Sequence, residues 1–218
     1  MQVLTTAREE MTKDRTRCVN ALTALVRRNA LGIDARRGLT GKQTKEIDNW
    51  RTREESLALR VARTEAVRLA KRIATLTKEL DDNLGQIEAL VSVSEAAPLL
   101  TETGYGPVTL AVCLTAWSHP GRIRSEAAFA ALAGVNPIPA SSGNTTRHRL
   151  NRSGDRRLNS AIHTIATTKM TWDKQTQDYA QRRLAQGKTK REVRRVLKRY
   201  IARNIYRTLN ASSAQKPV

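Results

Sequence analysis

Apolar positions along the first third of the chain recur at helical spacing. Val19, Leu22, Val26 and Ala30 share one face, which predicts a helix over residues 1–31. Gly32, Gly38 and Gly41 then punctuate a loop. A second helical stretch is predicted from about Thr44 to Val91. It carries a seam of Leu59, Ala62, Ala66, Leu69, Ile73, Leu76, Leu80, Leu84, Ile87 and Val91. Steps of three and four alternate along this seam, with one doubled four, as in a heptad repeat with a stutter. Two readings stand: a core-facing amphipathic helix, or a coiled coil that pairs two chains or pairs with the N-terminal helix.

The pattern changes after Pro98. A turn with Gly104 and Gly106 leads into an apolar run through Trp117, which Ser118-His119-Pro120-Gly121 ends. Ser125 reads as an N-cap for a helix over Glu126–Ala133, with Gly134 as its stop. Pro137, Pro139 and Gly143 bracket a loop. Residues 154–171 and 189–209 read as helices, and strand signals are few. The expected fold class is therefore mainly α: an N-terminal helix and a coiled-coil-like helix over 1–92, a compact helical domain over 93–210, and a disordered tail over 211–218.

Charge sharpens this picture. The 218 residues carry a formal net charge of +19. Residues 1–103 hold 18 basic and 15 acidic side chains, whereas residues 104–218 hold 21 and 5. So one-sided an excess repels itself unless a polyanion offsets it, and nucleic acid is the usual polyanion. A membrane surface would require a basic face opposite an aromatic or Leu-rich one, and no long apolar span exists. Residues 1–15 are polar and lack the apolar core of a signal peptide, so a cytoplasmic, nucleoid-associated protein is expected. Cys18 and Cys113 form no CxxC pair, and His119, His148 and His163 do not fall at metal-ligand spacings with them.

Three places carry candidate chemistry. Gly104-Tyr105-Gly106 between helical segments could offer backbone N–H groups to a phosphate, in the manner of a helix-hairpin-helix clamp, or could be an ordinary interhelical turn. Ser141-Ser142-Gly143 precedes Arg147, His148, Arg149, Arg152, Arg156 and Arg157, opposed only by Asp155. Arginines grip phosphates bidentately, so a serine among them could attack a phosphate; alternatively the Ser-Gly turn is only part of a binding loop. The third place is the C-terminal helix. Arg191, Arg194, Arg195 and Lys198 belong there to a dense basic series opposed only by Glu192, beside an apolar stripe that includes Val193, Leu197, Tyr200 and Ile201. Phosphate contact is the expected role.

Several of these stretches together resemble a known family. They are Leu99-Leu100-Thr101-Glu102-Thr103-Gly104-Tyr105-Gly106-Pro107-Val108, Arg124-Ser125-Glu126 through Gly134-Val135-Asn136-Pro137, Ser142-Gly143, and Asn151-Arg152-Ser153-Gly154-Asp155-Arg156-Arg157-Leu158. In this order they resemble the C-terminal domain of the Piv/MooV-type insertion-sequence transposases, the IS110/IS116/IS902 group. Arg15, Arg17 and Asn20, followed by Leu22 and Leu25, resemble the helix preceding that family's coiled coil.

The resemblance implies an enzyme that cuts and rejoins DNA through a serine linked covalently to a DNA phosphate. It places the nucleophile on Ser142, with Ser141 as the fallback, and phosphate contacts on Arg147, Arg149, Arg156 and Arg157. Transposon-end or target DNA, a structured guide RNA and a second copy held through the coiled coil are the partners it implies. Family members also carry an N-terminal RuvC-like domain with four metal-binding carboxylates. Only Glu9, Glu10 and Asp14 precede Arg15, and they do not match that pattern. The expectation is that the acidic domain is missing from this chain, that a divalent metal belongs only to that domain, and that no cofactor is held here. The alternative is a non-catalytic helix-hairpin-helix protein that holds DNA or RNA.

Overall fold

The computed structural model describes residues 1–29, 31–141, 144, 148–149, 151 and 153–214, and for His148, Ser212, Ser213 and Ala214 the backbone alone. Ser142, Gly143, Arg147 and Arg152 lie outside the described residues, as do Ala30 and residues 215–218. The described chain is mainly helical, with α1 (Gln2–Arg28), α2 (Gly41–Asp48), α3 (Leu57–Ser92), a 3-10 turn (Ala97–Thr101), α4 (Pro107–Trp117), α5 (Glu126–Leu132), α6 (Arg156–Trp172), α7 (Lys174–Ala185) and α8 (Lys190–Ala214). A single two-residue antiparallel ladder, β1 (Ile138–Pro139) with β2 (His148–Arg149), is the β-structure among the described residues. Two compact units result: Thr6–Gly85, and Met1–Thr5 with Gln86–Val218.

In the unit Thr6–Gly85, α1 and α3 run antiparallel. Arg8 Nη1 donates to the Leu80 carbonyl at 2.7 Å, and Arg15 Nε donates to Thr77 Oγ1 at 2.9 Å. Leu22 and Val26 of α1 share a buried cluster with Ala62, Ala66, Leu69, Ala70 and Ile73 of α3 and with Ile47 of α2. The seam from Ala62 to Ile73 thus packs on the N-terminal helix of the same chain, whereas its last members, Ile87 and Val91, enter the core of the unit that begins at Gln86. The alanines of the seam permit close approach of α1, and burial of Leu22, Ile47 and Leu69 supplies about 1.5–3 kcal/mol each.

The predicted helix from Thr44 to Val91 is broken. Thr40 caps α2 through a reciprocal box with Gln43, and Asn49 closes it. The connection to α3 is pinned by Arg63, 7% exposed, which makes a forked ion pair with Glu55 at 2.9 and 2.5 Å and lies 4.6 Å from the centre of the Trp50 ring. Ser56, whose Oγ accepts from the Leu59 amide at 3.5 Å, reopens the helix.

The unit Met1–Thr5 with Gln86–Val218 is built around α4. That helix is apolar on nearly every face, which suits a central position. It packs on α6, and α8 packs on both α5 and α6. Leu110, Leu114 and Trp117 meet Phe129, Leu158, Ile162, Ile165, Ile201, Ile205 and Leu209 in one core, closed at the end of α3 by Ile87 and Val91. Cys113 is fully buried there, and burial pushes its thiol up to about 12; Cys18 is also a free thiol.

Helix α7 was not among the predicted elements. It opens at Asp173, whose carboxylate accepts from the Thr176 amide at 3.0 Å, and it covers a small satellite core of Ala180, Val193 and Leu197. α8 also runs to Ala214, so the tail expected from residue 211 is helical for its first four residues. Among the described residues, no helix is long and apolar enough to cross a membrane.

Candidate nucleic-acid interface

The segment expected to carry the nucleophile leaves the helical core after α5 and returns to it at α6, and its two ends are tied together. Gly134, at φ 63°, and Gly154, at φ 110°, cross so closely that a Cβ on Gly134 would stand 2.6 Å from the Ser153 carbonyl oxygen. A Cβ on Gly154 would stand 2.6 Å from the Leu132 carbonyl oxygen. Only glycine meets both demands. The Asp155 amide donates to that Leu132 carbonyl at 2.7 Å, and Asn151 Nδ2 donates to Asn136 Oδ1 at 2.7 Å. Asn151 Oδ1 in turn accepts from the Ser153 amide and hydroxyl. Above this root the β1–β2 ladder pairs Ile138 with Arg149 and Pro139 with His148. Ser141 is exposed on the loop so formed.

A second tie reaches in from α8. Lys198 Nζ donates to Asn159 Oδ1 at 2.8 Å, and Asn159 Nδ2 donates to the Ala133 carbonyl at 2.6 Å. Burial, with Arg194 close by, holds the Lys198 ammonium below the usual lysine value. Burial together with Lys198 and Arg194 also pushes His163 down. The Nε of Arg194 is buried with no hydrogen-bond partner.

Beside the loop root lies a cleft of about 820 Å³. Its walls include Arg149 from β2, Arg183 from α7, Lys188 from the connection, and Arg195, Lys198, Arg199 and Arg203 from α8; Asn136, Asn151 and Tyr200 also line it. Glu192 is the acid among its lining residues, and it is engaged: the Thr189 amide and hydroxyl both donate to it, at 2.8 and 2.9 Å, which holds its carboxyl below the usual range. Arg199 Nη1 is buried and lacks a hydrogen-bond partner. Leaving a buried cationic donor unpaired is unfavourable unless a water, a polar group or an anion supplies the missing acceptor.

Three arginines one turn apart, Arg199, Arg203 and Arg207, converge on Glu126 at the start of α5, at 3.9, 3.0 and 3.1 Å. Burial pushes the Glu126 carboxyl up, but Arg203, Arg207 and Arg199 outweigh it and hold it below the usual range. One carboxylate against three guanidiniums leaves this edge of the cleft strongly positive.

The expected site residues are thereby sorted. Arg149, Arg195 and Lys198 come together at the cleft, whereas Arg191 lies on the exposed surface beside it with Lys190 and Glu192. Arg156 and Arg157 are exposed in the first turn of α6, behind its Asp155 cap. Arg194 is near enough to His163 and Lys198 to help lower the pKa of both. Gly104 and Gly106 are not part of the grouping. A Cβ on Gly104 would meet Lys169 Cγ at 3.0 Å and the Ile165 carbonyl at 3.1 Å, so this glycine admits the far half of α6. Those residues are roughly 13–20 Å along the helix axis from Arg156. The element before this turn is a 3-10 turn rather than an α-helix, and Tyr105 is buried with its hydroxyl accepting from Asn204 Nδ2 at 3.1 Å.

Arg183, Lys188, Arg199 and Arg203 belong to the basic C-terminal series that the sequence assigns to phosphate contact, but their meeting with Arg149 and Asn151 at one cleft is not legible there. The i, i+4, i+8 spacing of Arg199, Arg203 and Arg207 is the signal that could have placed them on one face. Tyr200, read from sequence as part of the buried stripe, is 52% exposed.

The carboxylates near the N-terminus do not fit a divalent metal. Glu9 and Glu10 pair with Lys13 at 3.1 and 2.8 Å, Asp14 pairs with Arg17, and among the described residues no three His, Cys, Asp or Glu side chains converge.

A helical domain with a glycine-pinned loop beside a basic cleft is the class that fold and site define. Residues 96–181 match the model of the transposase IS116/IS110/IS902 family, the family whose C-terminal domain the sequence resembles. The match runs from the 3-10 turn into α7, so α8 lies beyond it. No curated protein matches the chain.

Proposed function

We propose that the chain is the DNA-handling, serine-bearing part of an insertion-sequence transposase. The observation that carries this reading is a glycine-tied root, at Gly134 and Gly154, beside a cleft lined by Arg149, Arg195, Lys198, Arg199 and Arg203. In the proposed step the Ser142 hydroxyl attacks a DNA phosphodiester. A Ser–O–P bond forms, the P–O bond to one strand end breaks, and that end leaves as a free hydroxyl after taking up a proton. Attack by the hydroxyl of a second strand reverses the exchange, joining the new partner and restoring the serine. Guanidinium groups from Arg147, Arg149, Arg156 and Arg157 would offset charge on the phosphoryl oxygens. The family's RuvC-like carboxylate domain, where supplied, contributes its divalent metal from outside the residues of this chain. A guide RNA and a second copy of the chain complete the assembly in this reading.

The test is a suicide substrate, a nicked transposon-end duplex that traps the first step, incubated with the chain and an added RuvC-like domain. A denaturation-resistant protein–DNA adduct is expected with Ser142 and lost in Ser142→Ala. Persistence of the adduct in Ser142→Ala would move the nucleophile to Ser141. Absence of any adduct with the native serine rejects the catalytic reading.

One observation favours a second reading, a non-catalytic binding module. Among the described residues of the cleft, Glu192 is the carboxylate and it is tied to Thr189, so no free base stands there to take a serine proton.

A further inference from the structure

Tyr200 stands where the apolar stripe of α8 meets the cations of the cleft. It lines the cleft between Arg199 and Arg203 and leaves half its surface to solvent. Its ring is braced edge-on by Tyr179, with centroids 6.4 Å apart and planes at 86°. The guanidinium of Arg203 lies 6.0 Å from the Tyr200 centroid, and that of Arg183 lies 6.0 Å from Tyr179. An exposed, braced aromatic ring inside a basic cleft presents a flat apolar surface ringed by phosphate-binding groups.

We propose that this cleft receives an unpaired nucleotide of a single-stranded nucleic acid, with its base stacked on Tyr200 and its phosphate among the guanidiniums of Arg149, Arg195 and Arg203. Three observations converge on this ligand. The cleft volume, about 820 Å³, falls in the range of pockets that enclose small ligands, roughly 300–1,000 Å³, which suits a nucleotide or two rather than the breadth of a duplex. In a duplex the base faces are already stacked on one another and only edges reach the grooves, so an aromatic floor has nothing to engage. The cleft is lined by Arg149, Arg183, Arg195, Arg199 and Arg203 against one engaged acid, Glu192, and phosphate oxygens satisfy guanidinium geometry. An acidic peptide would answer the charge but leave the Tyr200 face uncovered.

The proposal rests on the nucleic-acid reading of the cleft but not on the chemistry of Ser142. It concerns strand ends or guide segments whose bases have left the stack, the species a strand-exchanging domain must hold.

Fluorescence anisotropy on the full chain tests it, with single-stranded DNA, single-stranded RNA and duplex DNA of one sequence, each about 12 nucleotides long. Tyr200→Ala is expected to weaken binding of the single strands about tenfold while changing duplex binding less than about twofold; Tyr200→Phe should retain the native preference. A Tyr200→Trp variant should lose fluorescence on adding either single strand and not on adding duplex. The DNA and RNA arms show which sugar the cleft prefers. Equal losses on single strand and duplex, no loss in Tyr200→Ala, or an unquenched Tyr200→Trp that still binds single strands would each overturn the stacking assignment. A melting curve for each variant separates loss of the ring from loss of the fold. A native pattern here combined with no covalent adduct would uphold the stacking site and reject the serine chemistry. Failure of the chain to bind any of the three nucleic acids would reject both.

Discussion

Gly154 packs against Gly134 so tightly that a Cβ on the former would stand 2.8 Å from the amide nitrogen of the latter and 3.1 Å from its Cα. Both residues have positive φ, so a side chain at either is strained by its own backbone as well as by its neighbour. Gly134→Ala or Gly154→Ala is expected to destabilise the chain by about 1–3 kcal/mol, read as a lower urea midpoint at unchanged slope. Each should also loosen the loop root, seen as faster amide exchange at Asp155, whose N–H is bonded to Leu132. Native stability in both variants would refute the close crossing.

The α1–α3 pair makes a prediction of opposite sign to that of a two-chain zipper. Ala66 is fully buried against α1 within one chain. Ala66→Leu is expected to overpack this contact and destabilise it by about 1–3 kcal/mol. A seam that joined two chains would gain apolar area from the same change and self-associate more strongly. Thermal melts together with light scattering distinguish the two.

Glu126 makes stability depend on pH. Its carboxyl is held below the ordinary glutamate value in the folded chain, so its contribution is fully present above that ordinary value and fades as pH falls through the lower folded value. Glu126→Gln is expected to melt below the native chain at pH 7, with the difference shrinking as pH drops below the ordinary carboxylate range. The same change frees Arg199, Arg203 and Arg207 from their acid, so nucleic-acid affinity at pH 7 should rise.

Salt dependence counts the phosphate contacts. Each cation that neutralises a phosphate adds roughly 0.7–0.9 to the slope of log affinity against log salt. Lys188→Gln with Arg195→Gln is expected to lower that slope by about 1.5, with less effect on melting temperature because both side chains are exposed. An unchanged slope would show that bound nucleic acid avoids this cleft.

How legible the molecule was in its sequence depended on how locally each feature is encoded. Ser125, Glu126 and Gly134 announced α5 because cap, first turn and stop are neighbours in the chain. α7 escaped because Tyr179, Ala180 and Leu184 alone give too few apolar positions for a seam; its helicity draws on the Asp173 cap and on packing against α6 and α8. The seam from Leu59 to Val91 was read as continuing back to Thr44 because nothing local in Trp50 or Glu55 reports their meeting with Arg63. At the candidate site, Gly134, Asn151 and Gly154 were recognisable as a motif, and the structure supplies their task as ties. The cleft was not legible: Arg149 and Arg199 are fifty positions apart, and no periodicity relates them. Tyr200 was misplaced for a related reason, since helical spacing puts it beside Leu197 and Ile201 but cannot tell the edge of an apolar stripe from its centre.

The Lys198–Asn159–Ala133 chain of hydrogen bonds has a bearing on how the domain is delimited. Its outer member sits seventeen residues past the end of the family match, yet it props the carbonyl at the foot of the loop. Ile201, Ile205 and Leu209, further on still, form a wall of the same interior. An excerpt cut at residue 181 would therefore be a house front without its rear beam: recognisable by its motifs, but open to water on the side where α8 belongs.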